Sequence, residues 1–259
     1  MAKSDLKLSL IQMDIAWEQP RENRQALESR IAALKGQQHI IVLPEMFNTG
    51  FSMKAAALAE SMQGETLQWM KEQALQSRSI IAGSLIISED GKYYNRLAWV
   101  LPDGSVAHYD KRHLFSYAGE QVDFEPGQKR VIASVNGWKI CLQVCYDLRF
   151  PVWARNTDDY DVLLYVANWP EKRNYAWEAL LQARAIENMS YVIGVNRVGT
   201  DGNGHQYIGN TSIYSPVGEL IVKAGATEQV LSHTLSHQLI EDSRFKFPFL
   251  QDRDNFVLL

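Results

Sequence analysis

The chain has 259 residues, of which 46% are hydrophobic and 22% charged, and its formal net charge is −4. This composition is typical of a folded globular protein and excludes a disordered one. A weakly acidic chain without basic stretches is not expected to bind nucleic acid or an anionic membrane surface. The first residues form no apolar signal segment, and no run of about 18 apolar residues could cross a membrane, so we expect a cytoplasmic protein.

In the first half of the chain, apolar runs typical of buried strands alternate with amphipathic patterns typical of helices. Strands are predicted at 8–13, 39–43, 79–87, 93–101 and 105–109. The two predicted helices carry apolar residues at helical spacing, which are Leu27, Ile31 and Leu34 in the first and Leu67, Met70 and Ala74 in the second. The last two strands surround a Pro-Asp-Gly turn and are predicted to form a hairpin.

The second half repeats this order. Strands are predicted at 131–134, 138–144, 162–167, 191–196, 211–214 and 219–222. One helix is predicted between them, with Trp177, Leu180, Leu181 and Ala185 on its apolar face. Strands buried on both faces, mixed with hairpins, indicate two packed mixed sheets with helices outside, a four-layer α-β-β-α sandwich of the α/β and α+β classes. No linker interrupts the pattern, so we expect a single domain over residues 1–259.

Cys145 is the most informative residue of the chain. It ends a strand of alternating apolar residues and is followed by a polar turn, an arrangement that resembles a nucleophile elbow. If its thiol attacks a carbonyl carbon, the backbone N–H of Tyr146 is placed to bind the developing oxyanion. Asp147 is predicted to cap the element that follows. Cys141, on the same strand, is expected to be a buried structural residue, too far from Cys145 for a disulfide.

Glu45 follows the buried strand at 39–43, directly after Pro44, which cannot donate a ladder hydrogen bond. Its carboxylate is therefore expected at the carboxyl end of a strand, where ligands bind in sheets of this kind. A glutamate in apolar surroundings is suited to act as a general base.

Lys111 ends another predicted strand, within a cluster of ionisable residues at 108–113. An ammonium near Cys145 would favour the thiolate and stabilise an oxyanion. Glu120, in the loop that follows, is a candidate second carboxylate of the site. His113 and His205 have no motif that would recommend them as a base for the thiol.

Several common sites are not expected in this chain. The six histidines show no metal-binding spacing, so we predict no metal ion. No glycine-rich nucleotide motif opens a helix, and we predict no cofactor. The glycine-rich segment 199–204 is predicted as a loop that could border a pocket.

Taken together, the motifs around these residues resemble those of the nitrilase superfamily of carbon–nitrogen hydrolases over essentially the whole chain. The matching segments are 43–47, 109–115 with Glu120 after it, 144–151 and 183–188. The sequence Cys-Tyr-Asp-Leu-Arg-Phe-Pro at 145–151 resembles the amidase branch that contains the ω-amidases. Segments 165–170 and 196–204 resemble the bacterial ω-amidases in particular.

The resemblance implies roles for four residues. Cys145 would be the nucleophile, Glu45 the general base and Lys111 the cation that stabilises the tetrahedral intermediate, while Glu120 would position the site. The implied substrates are 2-oxoglutaramate and 2-oxosuccinamate, hydrolysed through a thioester to a 2-oxo dicarboxylic acid and ammonia. The resemblance also implies a homodimer paired near the helix after the nucleophile.

Two alternatives stay open from the sequence. The first is another small amide, such as deaminated glutathione, because the 145–151 motif occurs in that amidase branch as well. The second is a catalytically silent binding protein on the same fold, which the presence of Glu45, Lys111 and Cys145 argues against.

Substrates of this kind carry a carboxylate beside a ketone, so the pocket needs a cation at its far end. Arg173 and Arg149 are the two candidates, because a guanidinium can bind a carboxylate with two hydrogen bonds. Phe47, Phe115 and Trp169 are expected to form apolar walls of the pocket.

Overall fold

The computed structural model describes residues 3–257. Its strands are, in chain order, β1 (Leu6–Gln12), β2 (Ile40–Val42), β3 (Ile80–Glu89), β4 (Lys92–Val100), β5 (Val106–Asp110), β6 (Ile132–Val135), β7 (Trp138–Val144), β8 (Val162–Val166), β9 (Tyr191–Val195), β10 (Val198–Thr200), β11 (Gln206–Ile208), β12 (Ser212–Tyr214), β13 (Leu220–Lys223) and β14 (Gln229–Leu235). Its α-helices are α1 (Pro20–Ala32), α2 (Ala55–Leu58), α3 (Glu65–Ser77), α4 (Glu120–Asp123), α5 (Pro151–Ala154), α6 (Asn174–Asn188) and α7 (His237–Lys246).

Twelve of these strands form two mixed sheets of six. The order in the first is β14-β1-β2-β3-β4-β5, and in the second it is β13-β12-β9-β8-β7-β6. Each sheet has three neighbouring parallel strands, β1-β2-β3 in the first and β7-β8-β9 in the second, and its other pairs are antiparallel. The remaining two strands, β10 and β11, form a separate hairpin. The two sheets flanked by helices confirm the predicted α-β-β-α sandwich.

The alternation of side chains along β2 explains why its apolar run is continuous. Ile40 and Val42 belong to the large core that joins the two sheets, whereas Ile41 belongs to a second core under the outer helices. Leu27 of α1 and Leu67 of α3 complete this second core. A strand covered on both faces buries every side chain, so it lacks the polar positions of a half-exposed strand.

On the other side of the molecule, α6 covers the second sheet. Its residues Trp177, Leu181 and Ala185 are buried in the large core together with residues of β7, β8 and β9. Their spacing of four places them on one helical face, which is why this helix could be predicted from the sequence. No helix within residues 3–257 is long and apolar enough to cross a membrane.

Several elements were not predicted, among them the short helices α2 and α4, the hairpin β10–β11, the strand β14 and the helix α7. Strand β14 pairs with β1 along its whole length, yet most of its residues are partly or fully exposed. An edge strand of this kind lacks a clear apolar pattern, because only a few of its side chains enter the core. The segment 199–204 was predicted as a loop, but residues 199 and 200 belong to β10 and only 201–204 lie in the turn of the hairpin.

Candidate active site

Three of the predicted residues lie at carboxyl ends of strands that meet in one place. Glu45 follows β2 and Lys111 follows β5, and these two strands run in the same direction in the first sheet. Cys145 follows β7 of the second sheet. Because the two sheets pack face to face, the first sheet brings the carboxylate and the ammonium to the thiol of the second.

The Glu45 carboxylate is fully buried and accepts three hydrogen bonds. Lys111 Nζ lies 3.0 Å and Asn95 Nδ2 2.8 Å from its Oε1 atom. The backbone N–H of Asn168 lies 2.7 Å from Oε2. Asn168 also donates its side-chain amide to the Glu45 carbonyl, so the backbone and the side chain of this glutamate are both held.

Lys111 lies between two carboxylates. Its Nζ atom is 3.0 Å from Glu45 Oε1 and 3.0 and 2.9 Å from the two carboxylate oxygens of Glu120. The ring of Phe51 lies 5.0 Å from the same ammonium. Burial opposes the charge of Lys111, but the charges of Glu120 and Glu45 outweigh it and raise the pKa of the ammonium. Lys111 is therefore a permanent cation in the site.

Glu120 begins α4 and is also fully buried. Besides Lys111 it accepts hydrogen bonds from the Phe115 N–H at 2.5 Å and from Asn95 Nδ2 at 3.2 Å. Burial raises the pKa of the Glu120 carboxyl, and the Lys111 charge opposes that shift. Asn95 thus bridges Glu45 and Glu120 with one amide nitrogen.

Cys145 has a left-handed backbone conformation, with φ of +43°. A non-glycine residue with positive φ between a strand and a turn is the geometry of a nucleophile elbow, and here it projects the thiol from the end of β7. The Cys145 Sγ atom lies 3.9 Å from the Asn168 carbonyl oxygen.

The electrostatics of this thiol differ from the sequence-based expectation. Burial and the negative charge of Glu45 raise the pKa of the Cys145 thiol well above its ordinary value, and the Lys111 charge only partly offsets them. The resting residue is therefore a neutral thiol. Because the thiolate is the reactive form, a base must remove its proton during the reaction.

Asp147 does not cap the element that follows it, as the sequence suggested. Helix α5 has Phe150 at its N-cap, without a side-chain capping hydrogen bond. The Asp147 carboxylate instead turns back and accepts the Val144 N–H at 3.0 Å. Residues Cys145–Arg149 form a 3-10 turn with Val144 at its N-cap, so this contact caps the turn that contains Asp147 and not α5.

A cavity of about 100 Å³ opens beside the thiol. Lys111, Cys145 and Tyr146 line its inner part, and Phe115 and Trp169 line its walls. Phe47 does not line it: that side chain is fully buried in the core under α1 and α3, where its ring centroid lies 5.9 Å from that of Trp69. The wall expected from Phe47 is supplied by Phe51 and Met53.

Both candidate arginines line the cavity. The guanidinium of Arg149 lies 4.9 Å from the ring centroid of Trp169, and that of Arg173 lies 5.0 Å from the ring centroid of Phe115. Within residues 3–257, neither guanidinium has a carboxylate within 4.0 Å. Stacking on an aromatic ring leaves the N–H donors of a guanidinium free for a ligand.

The β10–β11 hairpin forms the opposite side of the cavity, through Asp201, Asn203, His205 and Tyr207. The Asp201 carboxylate accepts the backbone N–H groups of Asn203 and His205 and the Tyr207 hydroxyl, each at 2.9 Å. His205 is exposed at the rim, and His113 contacts Asp147 away from the cavity. No cluster of metal ligands is present in the described part of the chain.

Several residues of the site were missed in the sequence, among them Asn168, Asn95 and Phe51. Asn168 follows β8 in the same way that Cys145 follows β7, and this repeated position at a carboxyl end could have identified it. Asn95 lies inside β4 and Phe51 lies in a loop, so neither had a local signal. Only the packing of the first sheet brings these two residues to Lys111.

Comparison with known proteins gives consistent matches. The sequence profile of the carbon–nitrogen hydrolase family matches residues 7–245. The chain is 45% identical to the omega-amidase YafV of Escherichia coli (strain K12) over 254 residues, 98% of each chain. It is 29% identical to the 2-oxoglutaramate amidase of Bacillus subtilis (strain 168), over 95% of this chain and 96% of that one.

A solved structure is similar as well. The crystal structure of a CN-hydrolase superfamily protein of Xanthomonas campestris, with an arsenic adduct in its active site, is 41% identical to this chain with a TM-score of 0.97. The match covers 98% of this chain and 99% of the other. The similarities in sequence and in structure therefore both extend over nearly the whole chain.

Proposed function

Because this chain belongs to the carbon–nitrogen hydrolase family of the nitrilase superfamily, we propose that it is an ω-amidase that hydrolyses 2-oxoglutaramate and 2-oxosuccinamate. The products are the 2-oxo dicarboxylic acid and ammonia. One observation carries the proposal: two guanidiniums without a carboxylate partner within residues 3–257 line the same cavity as the Cys145 thiol. The cavity thus offers a nucleophile for the amide and a cation for a carboxylate.

The reaction begins with the neutral thiol. Glu45 takes the Cys145 proton while Sγ attacks the carbonyl carbon of the terminal amide and forms a C–S bond. The oxygen gains negative charge, which Lys111 Nζ and the Tyr146 N–H stabilise. An ammonium has three donors, so Lys111 can bind this oxygen by giving up one of its two contacts with Glu120 while it keeps one hydrogen bond to each carboxylate.

The intermediate then collapses. The C–N bond breaks while the nitrogen takes the proton back from Glu45. Ammonia is released, and the acyl group remains on Cys145 as a thioester. A water molecule next gives a proton to Glu45 and attacks the thioester carbon. The C–S bond breaks, Glu45 returns the proton to the sulfur, and the carboxylic acid is released.

Substrate selection is the task of the outer cavity. Arg173 or Arg149 binds the substrate carboxylate through paired N–H donors. Phe115 and Trp169 hold these guanidiniums in place by stacking against them.

A substrate panel tests the proposal. We expect ammonia release from 2-oxoglutaramate and 2-oxosuccinamate with kcat/KM values far above those for deaminated glutathione and for a neutral amide of similar length. Preferred turnover of deaminated glutathione would replace the proposed substrate, and absence of ammonia from every amide would favour a silent binding protein.

We further propose one catalytic domain per chain, assembled as a homodimer in the cytoplasm. The free thiols of Cys141 and Cys145 suit a reducing compartment. Val152 of α5 and Ile186 of α6, two helices that follow Cys145 in the chain, are 52% and 51% exposed. These apolar side chains are candidates for burial in the dimer interface. The chain has a mass of 29.5 kDa, and light scattering of the purified protein should give twice this value.

A further inference from the structure

One buried carboxylate outside the cavity connects the two halves of the active site. Asp147 is fully buried and accepts four hydrogen bonds. Its Oδ1 atom accepts the backbone N–H of His113 at 2.9 Å and contacts the His113 Nδ1 atom at 2.8 Å. Its Oδ2 atom accepts the Tyr109 hydroxyl at 2.8 Å and the Val144 N–H at 3.0 Å.

The positions of these partners in the chain are informative. Tyr109 and His113 stand two residues before and two residues after Lys111. Val144 directly precedes Cys145, and Asp147 stands two residues after it. In residues 3–257, every hydrogen bond between segment 109–113 and segment 144–149 ends on the Asp147 carboxylate.

The partners of Asp147 are themselves fixed. The Tyr109 hydroxyl accepts hydrogen bonds from Trp153 Nε1 at 3.0 Å and from the Arg112 N–H at 3.2 Å. The His113 ring stacks on Phe150, with centroids 3.7 Å apart and planes within 3°. A buried polar network in which every member is paired is rigid, and the loss of one member leaves the others unsatisfied.

From this network we infer that Asp147 is a positioning residue that sets the distance between the Lys111 ammonium and the Cys145 thiol. Asp147 does not line the cavity, so it acts through the two segments that it joins. The inference rests on the proposed amidase mechanism, in which Lys111 must lie where the oxyanion forms. A displacement of about 1 Å at such a site can reduce the rate about hundredfold.

The conservative test is Tyr109→Phe, which removes one hydroxyl of the network. Its matched control is Tyr160→Phe: both tyrosines are fully buried in the large core, but the Tyr160 hydroxyl donates to the Ala154 carbonyl. We expect both variants to lose similar amounts of thermal stability. Only Tyr109→Phe should lose kcat, by about tenfold or more, with KM for the substrate unchanged because the arginines are untouched.

The second variant is Asp147→Asn, alone and combined with Tyr109→Phe. If the two residues act through one network, the double variant should lose less activity than the product of the single losses. Losses that multiply, or a kcat of Tyr109→Phe within twofold of that of Tyr160→Phe, would overturn the inference.

A substrate-free measurement separates this inference from the proposed function. Alkylation of Cys145 by iodoacetamide depends on the base and the cation beside the thiol, and it needs no hydrolysis of an amide bond. We expect Tyr109→Phe to slow this alkylation relative to Tyr160→Phe. Slower alkylation in a protein that hydrolyses no 2-oxo acid amide would refute the proposed substrate and leave the role of Asp147 standing. Equal alkylation rates in an active amidase would refute the role of Asp147 alone.

Discussion

The inner and outer parts of the cavity hold their charges in different ways. At the inner part, Lys111 lines the cavity and donates hydrogen bonds to the fully buried carboxylates of Glu45 and Glu120 behind it. In the outer part, Arg173 is half-buried and Arg149 exposed, and each is held by an aromatic ring. The charges to which we assign the reaction are therefore fixed by their contacts with one another, whereas the guanidiniums proposed to select the substrate can be replaced without disturbing them.

Electrostatics explains this difference. Removal of one partner from a buried ion network leaves an uncompensated charge, which costs about 3–5 kcal/mol. A solvent-exposed guanidinium keeps its hydration, so its replacement has little effect on folding. Substitutions in the inner part should therefore affect both chemistry and stability, and those in the outer part should affect only the choice of substrate.

The largest expected effect on activity comes from replacing the proposed nucleophile, Cys145. Cys145→Ala should abolish ammonia release from 2-oxoglutaramate, because no other thiol lines the cavity. Cys141→Ala is the matched control, since Cys141 is a fully buried cysteine of β7, the strand that leads to Cys145, and does not line the cavity. Its activity should stay near that of the unmodified protein. Measurable turnover by Cys145→Ala would exclude a thioester on this residue.

The next prediction concerns the base. Glu45→Gln should reduce kcat by about 10²–10⁴-fold, because an amide cannot take the thiol proton. Lys111 keeps its two contacts with Glu120, so the cation remains in place. Assays of the ammonia released after fixed reaction times give kcat and KM, and circular dichroism checks that the variant is folded. A folded variant with unchanged kcat would show that another group removes the proton.

The third prediction uses pH to test whether the thiol rests in its neutral form. Burial and the charge of Glu45 raise the pKa of the Cys145 thiol, so the fraction of thiolate should increase with pH throughout the neutral range. The rate of alkylation by iodoacetamide should then rise about tenfold per pH unit between roughly pH 6 and 8. The measurement is the loss of free thiol over time at constant ionic strength. A rate independent of pH in this range would indicate a thiolate stabilised by Lys111.

The fold and the site were not equally readable from the sequence. Helix α6 and strand β2 were predicted because their side chains enter the core at regular spacing. Strand β14 was missed because pairing with β1, rather than an apolar pattern of its own, holds it in place. An element can be predicted from its local sequence when burial in the core requires apolar residues at regular positions. It is difficult to predict when hydrogen bonds to a neighbouring strand hold it in place.

The same limit applies to the site. Glu45, Lys111 and Cys145 each end a strand, so their local sequences placed them at an edge. Asn95 reaches Glu45 and Glu120 only because β4 lies beside β5 in the sheet, a contact that no short segment encodes. The error at Phe47 has the same origin, because an aromatic residue after a strand can point to the core or to the cavity.

The fourth prediction addresses the outer part. Arg173→Ala should lower kcat/KM for 2-oxoglutaramate by about tenfold to hundredfold, the value of a charged hydrogen-bonded contact, and leave a neutral amide unaffected. Arg149→Ala, measured with the same two substrates, shows whether the more exposed guanidinium shares this role. Thermal stability should be unchanged in both variants. Equal losses on the charged and the neutral amide would remove these arginines from substrate binding.

The smallest expected effect distinguishes the cavity from the core beneath it. Phe51→Leu removes the ring 5.0 Å from Lys111 Nζ, and kcat should fall about threefold to tenfold because the ammonium loses a cation–π contact. Phe47→Leu makes the same change in the core, so it should lower the melting temperature and leave kcat and KM unchanged. If Phe47→Leu altered kcat as much as Phe51→Leu does, the core under α1 and α3 would be coupled to the cavity through packing. The residues that control the reaction rate would then include this core and not only the cavity wall.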